Sequence, residues 1–219
     1  MVTANPTWLE QPASTIMMKG VSWQTYKLLM SEVGDDRPWR IAYHRGVLEI
    51  RMPSLEHEVP KGLLESFVEA IADELEIEVM KAGSLKLERE DLTNAVEPDS
   101  CFYINNEPQV RGRDQIILPV DPPPDLAIES DYTNSSLNKQ ALYSALGVPE
   151  LWRYTKNMLL VYRRVEGGYE QCDRSLAFPF LPITEIANFI VQSRTIGQRS
   201  TVRLFRQRIR EILDNQIVS

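Results

Sequence analysis

The sequence predicts an α/β protein in which helices cover both faces of a mixed central sheet. The strongest support is the segment from Leu55 to Leu75, where apolar residues recur every three or four positions, as on one face of a helix. Short apolar runs bounded by turn residues lie before and after this segment and are typical of strands. Helices that alternate with strands along a chain favour helical layers packed on a sheet.

Length and composition indicate one globular domain. The chain has 219 residues, of which 43% are hydrophobic and 25% charged. Residues 1–20 are rich in Pro, Ser and Thr, so we expect a weakly ordered arm there and a single domain over 21–219. No apolar run approaches the roughly 20 residues of a membrane span, and the first residues lack the pattern of a secretory signal. We therefore expect a cytoplasmic protein that does not enter a membrane.

Charge and cysteine content narrow the functional classes. The net charge of −7 argues against a protein that coats nucleic acid through general electrostatics, although a local basic patch can still bind it. The two cysteines, Cys101 and Cys172, have no partner at metal-binding spacing. A disulfide framework or a structural zinc site is therefore not expected.

The first half of the chain contains a helix, a hairpin and the long helix. Ser22 can cap a helix that runs through "WQTYKLLMSEV", and "WRIAYHRGVLEIRM" predicts two strands around the turn at Arg45 and Gly46. Pro60 is expected in the first turn of the long helix, where proline is tolerated. Strands are then expected at "IEVMKA", at "SLKLER" and over 97–104.

The second half begins with a Pro-rich stretch that leads into the strand "LAIES". A helix over about 136–146 should stop at Gly147, with Pro149 just beyond it. The strands "ELWRYT", "MLLVYRRV" and "GYEQCD" follow, the last two joined by the turn "EGG". Two helices, over about 182–191 and 200–213, close the chain.

The last helix carries a stripe of arginines spaced by four, three and four residues, which are Arg199, Arg203, Arg206 and Arg210. Such spacing places them on one side of the helix, next to an apolar stripe. Two interpretations stay open: the arginines contact phosphate, or they form ion pairs within the chain or between subunits.

Two acidic residues lie in apolar runs that resemble buried strands: Asp99 in "VEPDSCFYI" and Glu129 in "PPPDLAIES". Strand alternation places Glu97 on the same face as Asp99, and Asp125 on the same face as Glu129. Unpaired carboxylates are costly to bury, so neighbouring strands about 5 Å apart would hold one hard cation between them. Mg²⁺ fits best, with Mn²⁺ as a substitute.

Lys139 is expected on the following helix, with Tyr143 one turn later, so that both can point toward the strand ends. A lysine there would orient an attacking water or neutralise charge on a phosphate. The simpler alternatives are that Lys139 is a solvated surface charge and that Glu129 caps a helix or pairs with Arg153.

The order of these motifs resembles the Uma-type branch of restriction endonucleases, in the PD-(D/E)XK nuclease superfamily. The resemblance spans about residues 20–190, and its most specific parts are "EPD" and "K-x-x-x-Y-x-x-x-G-V-P-E-L-W". It implies a restriction-endonuclease-like core in which Pro98 and Asp99 form the PD element and Glu129 is the acidic member of the second element.

The resemblance also implies roles for two more residues. Asp131 stands where the superfamily has its lysine, so Lys139 on the next helix becomes the matching position. His57, at the start of the long helix, would complete the metal shell or contact a substrate phosphate, with Glu58 and Glu65 as alternatives.

Three functions follow from these expectations. The first is a Mg²⁺-dependent endonuclease that cuts DNA as a homodimer, because one site serves one strand and two-fold symmetry supplies the other. The second is a homodimeric binding or regulatory module with the same fold and no catalysis. The third keeps the metal chemistry but acts on a small phosphorylated substrate.

Overall fold

The protein is described from a computed structural model that covers residues 15–130 and 137–217. The strands are β1 (Thr15–Lys19), β2 (Arg40–His44), β3 (Val47–Arg51), β4 (Met80–Lys81), β5 (Leu87–Arg89), β6 (Asn94–Val96), β7 (Ser100–Tyr103), β8 (Leu126–Ser130), β9 (Glu150–Thr155), β10 (Met158–Val165) and β11 (Gly168–Cys172). The helices are α1 (Trp23–Val33), α2 (Leu55–Leu75), α3 (Glu107–Val110), α4 (Lys139–Leu146), α5 (Ile183–Ile196) and α6 (Gln198–Ile217).

The strands form two sheets. The first sheet has the order β1-β3-β2-β6-β5, and its strand pairs are antiparallel. One face of this sheet packs on α1, whose Tyr26 stacks on Tyr43 of β2 with ring centroids 4.9 Å apart. The predicted cap of α1 is confirmed, since the Ser22 hydroxyl accepts a hydrogen bond from the Thr25 N–H at 3.1 Å. The predicted hairpin is the β2–β3 pair.

The second sheet has the order β11-β10-β9-β8-β7-β4, and β8 and β9 are its parallel pair. One face is covered by α2, α5 and α6, which share a core with the strands. Phe67 of α2 lies 4.3 Å from Phe205 of α6, measured between ring centroids. The predicted helix over Leu55–Leu75 is confirmed, and it packs on α6 and on β8.

Helix α4 packs between the two sheets. Its Leu142 and Leu146 share a core with Ala42 and Val96 of the first sheet and with Leu151 of the second. The face of the first sheet that points away from α1 is therefore also covered. The α/β class is confirmed, and the difference from expectation is a second sheet in place of one central sheet.

The N-terminal expectation needs a correction. Residues 15–19, assigned to a weakly ordered arm, form β1 and pair along the full length of β3. The segment "TIMMK" is rich in apolar and β-branched residues, which favour a strand at a sheet edge. Residues 1–14 of the expected arm lie outside the described residues.

The expected strand over 97–104 is interrupted. Strand β6 of the first sheet ends at Val96, and strand β7 of the second sheet starts at Ser100. The chain crosses between the sheets through Glu97, Pro98 and Asp99. Pro98 has no N–H to donate to a strand ladder, which explains the break.

Smaller differences concern helix ends. Pro60 is the sixth residue of α2, beyond the first turn. Helix α4 begins at Lys139 after an Asn138 cap, while the expected start at Ser136 lies outside the described residues. The expected stop at Gly147 is confirmed, because this residue caps α4 in the left-handed conformation.

Two of the four arginines in the α6 stripe make ion pairs within the chain. Arg206 and Arg210 donate to the Glu74 carboxylate of α2, at 2.8 and 2.7 Å. These two arginines therefore hold α6 against α2. Among the described residues, no helix combines the length and apolar character required to cross a membrane.

Candidate active site

Asp99 lies where the chain crosses from the first sheet to the second. The β7–β8 register pairs Ser100 with Ile128, so one further step places Asp99 opposite Glu129. Only 5% of Asp99 is exposed. Its Oδ2 accepts hydrogen bonds from the Ser130 N–H at 2.7 Å and from the Ser130 hydroxyl at 3.3 Å. Its Oδ1 accepts from the Arg51 guanidinium.

Glu129 points from β8 toward the start of α4 and is 1% exposed. Lys139 donates to its Oε2 at 2.7 Å, and the Tyr143 hydroxyl donates to its Oε1. The Asn138 side chain caps α4 by accepting from the Ala141 N–H at 3.0 Å. Because residues four apart share a helix face, Lys139 and Tyr143 reach the same carboxylate. The K-x-x-x-Y spacing therefore has a direct structural role.

Arg51 is a site residue that the sequence did not predict. It ends β3 of the first sheet, and its Nη2 contacts Asp99 and lies 3.7 Å from Glu129 Oε2. Glu49, two residues earlier, is also buried and lies on the same face of the strand. The charge pattern of "VLEIR" predicts a solvent-facing side, but this side of the sheet faces α4 and the second sheet.

The electrostatic balance keeps Asp99 ionised. Burial by itself would raise its pKa, but the charges of Arg51 and Lys139 and the Ser130 N–H outweigh burial and leave the pKa below the usual aspartate range. Burial raises the pKa of the Tyr143 hydroxyl well above its usual value, and the negative charge of Glu129 adds to the effect. Tyr143 is therefore a permanent hydrogen-bond donor to Glu129.

His57 is buried near the acidic pair. Its backbone carbonyl accepts from the Ser130 hydroxyl at 2.8 Å, so the first turn of α2 is fixed to the strand that carries Glu129. A metal or phosphate role for its side chain stays a prediction. Of the two alternatives, Glu58 pairs with Lys61 at 3.0 Å and Glu65 lies 3.8 Å from Lys81.

The acids predicted to share a face with the pair have other contacts. Glu97 accepts from the Arg37 guanidinium and from the Ile41 N–H at 3.1 Å. It lies in the crossing segment, where strand alternation does not apply. Asp125 precedes β8 and accepts from the Ile104 and Asn106 N–H groups, at 2.7 and 2.9 Å. Both acids stabilise local backbone.

A cavity of about 200 Å³ opens beside Glu129 and Lys139. Arg153 also lines it, and the parallel register places this residue next to Glu129. Glu129 forms ion pairs with Lys139 and Arg51. Pairing of Glu129 with Arg153 stays a prediction. Lys139 has 10% of its side chain exposed, so it is not a solvated surface charge.

The candidate metal ligands of the site are the carboxylates of Asp99 and Glu129. The described segments contain no group of three or more His, Cys, Asp and Glu residues arranged to hold a metal. Two adjacent carboxylates do fit Mg²⁺, which takes one or two protein carboxylates and keeps waters and substrate oxygens as its other ligands. Asp99 and Glu129 are the residues that would hold it.

A mixed α/β fold with an acid pair and a lysine at the junction of its sheets defines the restriction-endonuclease-like class. The Uma2 family model, described as "putative restriction endonuclease", matches residues 23–188, and the chain belongs to this family. Among solved structures, the chain is similar to "a putative nuclease belonging to DUF820" from Anabaena variabilis ATCC 29413. The identity is 16%, with 83% of this chain and 99% of that chain covered and a TM-score of 0.49. No curated protein matches the chain.

Proposed function

We propose that this chain is a metal-dependent endonuclease that hydrolyses phosphodiester bonds in DNA. The observation that carries the proposal is the contact between Lys139 Nζ and Glu129 Oε2 at 2.7 Å. It joins a lysine of α4 to an acidic pair that the fold assembles from β8 and from the segment just before β7. Membership of a family described as restriction endonucleases supports the nuclease class.

In this proposal Asp99 and Glu129 bind Mg²⁺, which supplies Lewis-acid stabilisation of the phosphate and a more acidic water. Lys139 places a positive charge beside the reacting phosphate and donates a hydrogen bond to it or to the attacking water. Ser130 and Tyr143 orient the two carboxylates. A bond forms between the water oxygen and phosphorus, and the bond between phosphorus and the leaving deoxyribose oxygen breaks. The attacking water releases its proton to solvent, and a solvent water protonates the leaving oxygen.

The positive lining of the cavity favours a phosphate substrate, because Lys139 and Arg153 both face it. We further propose that the protein acts on duplex DNA as a homodimer, in which each copy cuts one strand. The net charge of −7 predicts little affinity for DNA away from this cavity.

A plasmid-nicking assay tests the proposal. Pure protein with Mg²⁺ or Mn²⁺ is expected to nick supercoiled DNA, and EDTA is expected to stop it. Asp99→Asn and Glu129→Gln should each lower the rate by about 10²-fold or more. Glu97→Gln is the matched control, because Glu97 is a buried acid two residues before Asp99. The contacts of Glu97 are with Arg37 and the Ile41 N–H. This variant should cut at the wild-type rate.

A catalytically silent homodimeric module is the second candidate. It is favoured by one observation: each oxygen of Asp99 and Glu129 already accepts a hydrogen bond from a protein group. Absence of both DNA cutting and calorimetric Mn²⁺ binding would support this module. Hydrolysis of bis-p-nitrophenyl phosphate without DNA cutting would instead indicate a small phosphorylated substrate.

A further inference from the structure

The carboxylate pair of the site already has protein counter-ions. Asp99 and Glu129 carry two negative charges, and Arg51 and Lys139 carry two positive charges. All four side chains are at most 10% exposed. A divalent cation that entered this group would bring two further positive charges into a buried environment, where repulsion between like charges is poorly screened.

Arg51 and Lys139 differ in what they contact. Lys139 donates to Glu129 Oε2 at 2.7 Å. The Arg51 guanidinium nitrogen Nη2 contacts Asp99 and also lies 3.7 Å from Glu129. It therefore lies within ion-pair distance of both acids, as a bridging metal ion would.

We propose that Arg51 is a built-in counter-ion that a divalent metal must displace from Asp99, so that Arg51 weakens metal binding. The inference rests on the proposed function, because it concerns the metal site of that same nuclease. With metal absent, Arg51 stabilises the fold by neutralising the acids. With metal present, the guanidinium moves off Asp99, and the cost of this exchange lowers the affinity for the ion.

The chain contains a matched pair that serves as a control. Arg37 binds Glu97 two residues before Asp99, and the side chains of the two ion pairs have the same exposure, 5% for each arginine and 7% for each acid. Arg37 makes a stacking contact with Trp39, 4.7 Å from its ring centroid, and it contacts neither Asp99 nor Glu129 in the described ion pairs. Its removal should therefore destabilise the fold without altering metal binding.

The experiment is calorimetric titration of MnCl₂ into wild type, Arg51→Met, Arg51→Lys and Arg37→Met. Arg51→Met should bind Mn²⁺ at least about tenfold more tightly than wild type, because a buried positive charge within about 4 Å of the ion is removed. Arg51→Lys keeps the charge and should bind Mn²⁺ less tightly than Arg51→Met. Arg37→Met should match wild type.

Thermal unfolding is a second measurement, and it can also be applied to variants that fold only weakly. Arg51→Met should melt below wild type without metal, and saturating Mn²⁺ should raise its melting temperature by more than it raises that of wild type. If Arg51→Met does not fold without metal, folding on addition of Mn²⁺, and not of K⁺, supports the inference.

The possible failures are distinct. Equal Mn²⁺ affinity in wild type and Arg51→Met overturns the role of Arg51 and leaves the proposed metal site standing. Tighter binding in Arg37→Met as well would show a general effect of lost positive charge and would also overturn it. Mn²⁺ binding by none of the proteins contradicts the metal-dependent function, and the inference with it.

Discussion

The parallel β8–β9 pair has a buried carboxylate at each end, and the two ends differ in their counter-charges. Glu150 begins β9, next to Leu126, and Glu129 lies near the end of β8, next to Arg153. Glu150 accepts hydrogen bonds from Trp152 Nε1 at 2.6 Å and from the Ala177 N–H at 2.8 Å. Both donors are neutral. Glu129 instead contacts cations.

This difference appears in the pKa values. Burial raises the pKa of Glu150, and hydrogen bonds from Ser175, Ala177 and Trp152 only partly offset the effect. At the other end, Asp99 lies beside Glu129 and is also buried, yet Arg51 and Lys139 lower its pKa. Burial alone therefore does not identify a functional acid. The candidate active site differs from the surroundings of Glu150 because its cations keep the acid ionised.

The motif K-x-x-x-Y-x-x-x-G-V-P-E-L-W contributes residues to both ends of the β8–β9 pair. Lys139 and Tyr143 belong to the candidate active site, whereas Glu150 and Trp152 fix the loop before α5 through Ala177. Gly147 ends α4 and has a positive φ of 87°, which favours glycine. One motif therefore contains residues of the candidate active site and residues that support the scaffold.

The largest expected effect is at the cationic end. Lys139→Met should lower the DNA cleavage rate by about 10²–10³-fold, because it removes the positive charge that Lys139 is proposed to place beside the reacting phosphate. The rate is measured by plasmid nicking at saturating Mg²⁺. Lys81→Met is the control, since Lys81 pairs with Glu69 at the surface at 2.7 Å and should leave the rate unchanged. Equal rates for Lys139→Met and wild type would place Lys139 with the scaffold residues.

The next effect is at the neutral end. Glu150→Ala should lower the free energy of unfolding by about 1–3 kcal/mol for each buried donor left without a partner, and Glu150 serves two such donors, Trp152 Nε1 and the Ala177 N–H. Urea unfolding measures this loss. The cleavage rate per folded molecule should stay at the wild-type value. A lower rate in fully folded protein would mean that the two ends are coupled.

A smaller loss is expected for Tyr143→Phe. The change removes one hydrogen bond to Glu129, while Lys139 continues to hold the same carboxylate. The free energy of unfolding should fall by about 1.5 kcal/mol, at the low end for a bond to a charged group. Urea unfolding and Mn²⁺ titration are the measurements. A loss as large as that of Glu150→Ala would show that Lys139 does not hold Glu129 in place once the Tyr143 hydroxyl is removed.

Local signals predicted much of this molecule. The apolar spacing in Leu55–Leu75, the Ser22 cap and the Gly147 stop depend on neighbours within a few residues, and each agrees with the structure. The candidate acids Asp99 and Glu129 were identifiable because carboxylates in apolar strands are poorly explained by packing. Their roles stay predictions.

Long-range arrangement was not predictable in the same way. Arg51 joins the site only because a second sheet and α4 cover the face of β3 that carries it, and no pattern near residue 51 indicates this. Strand alternation placed Glu97 and Asp125 on the same faces as Asp99 and Glu129, but it fails where the strand is broken or has not yet begun. Pairing between distant segments decides these contacts.

The smallest effect is a pH dependence that should arise from the neutral end. The pKa of Glu150 is raised above its ordinary 4.5 in the folded protein, so below that pH the residue is protonated in both states and its contribution to stability is fully present. As the pH rises through the folded pKa, this contribution is lost. The difference in unfolding free energy between wild type and Glu150→Gln should therefore fall as the pH rises above about 4.5, as measured by urea unfolding. A difference that rises with pH would indicate a cation near Glu150 and would remove the contrast between the two ends.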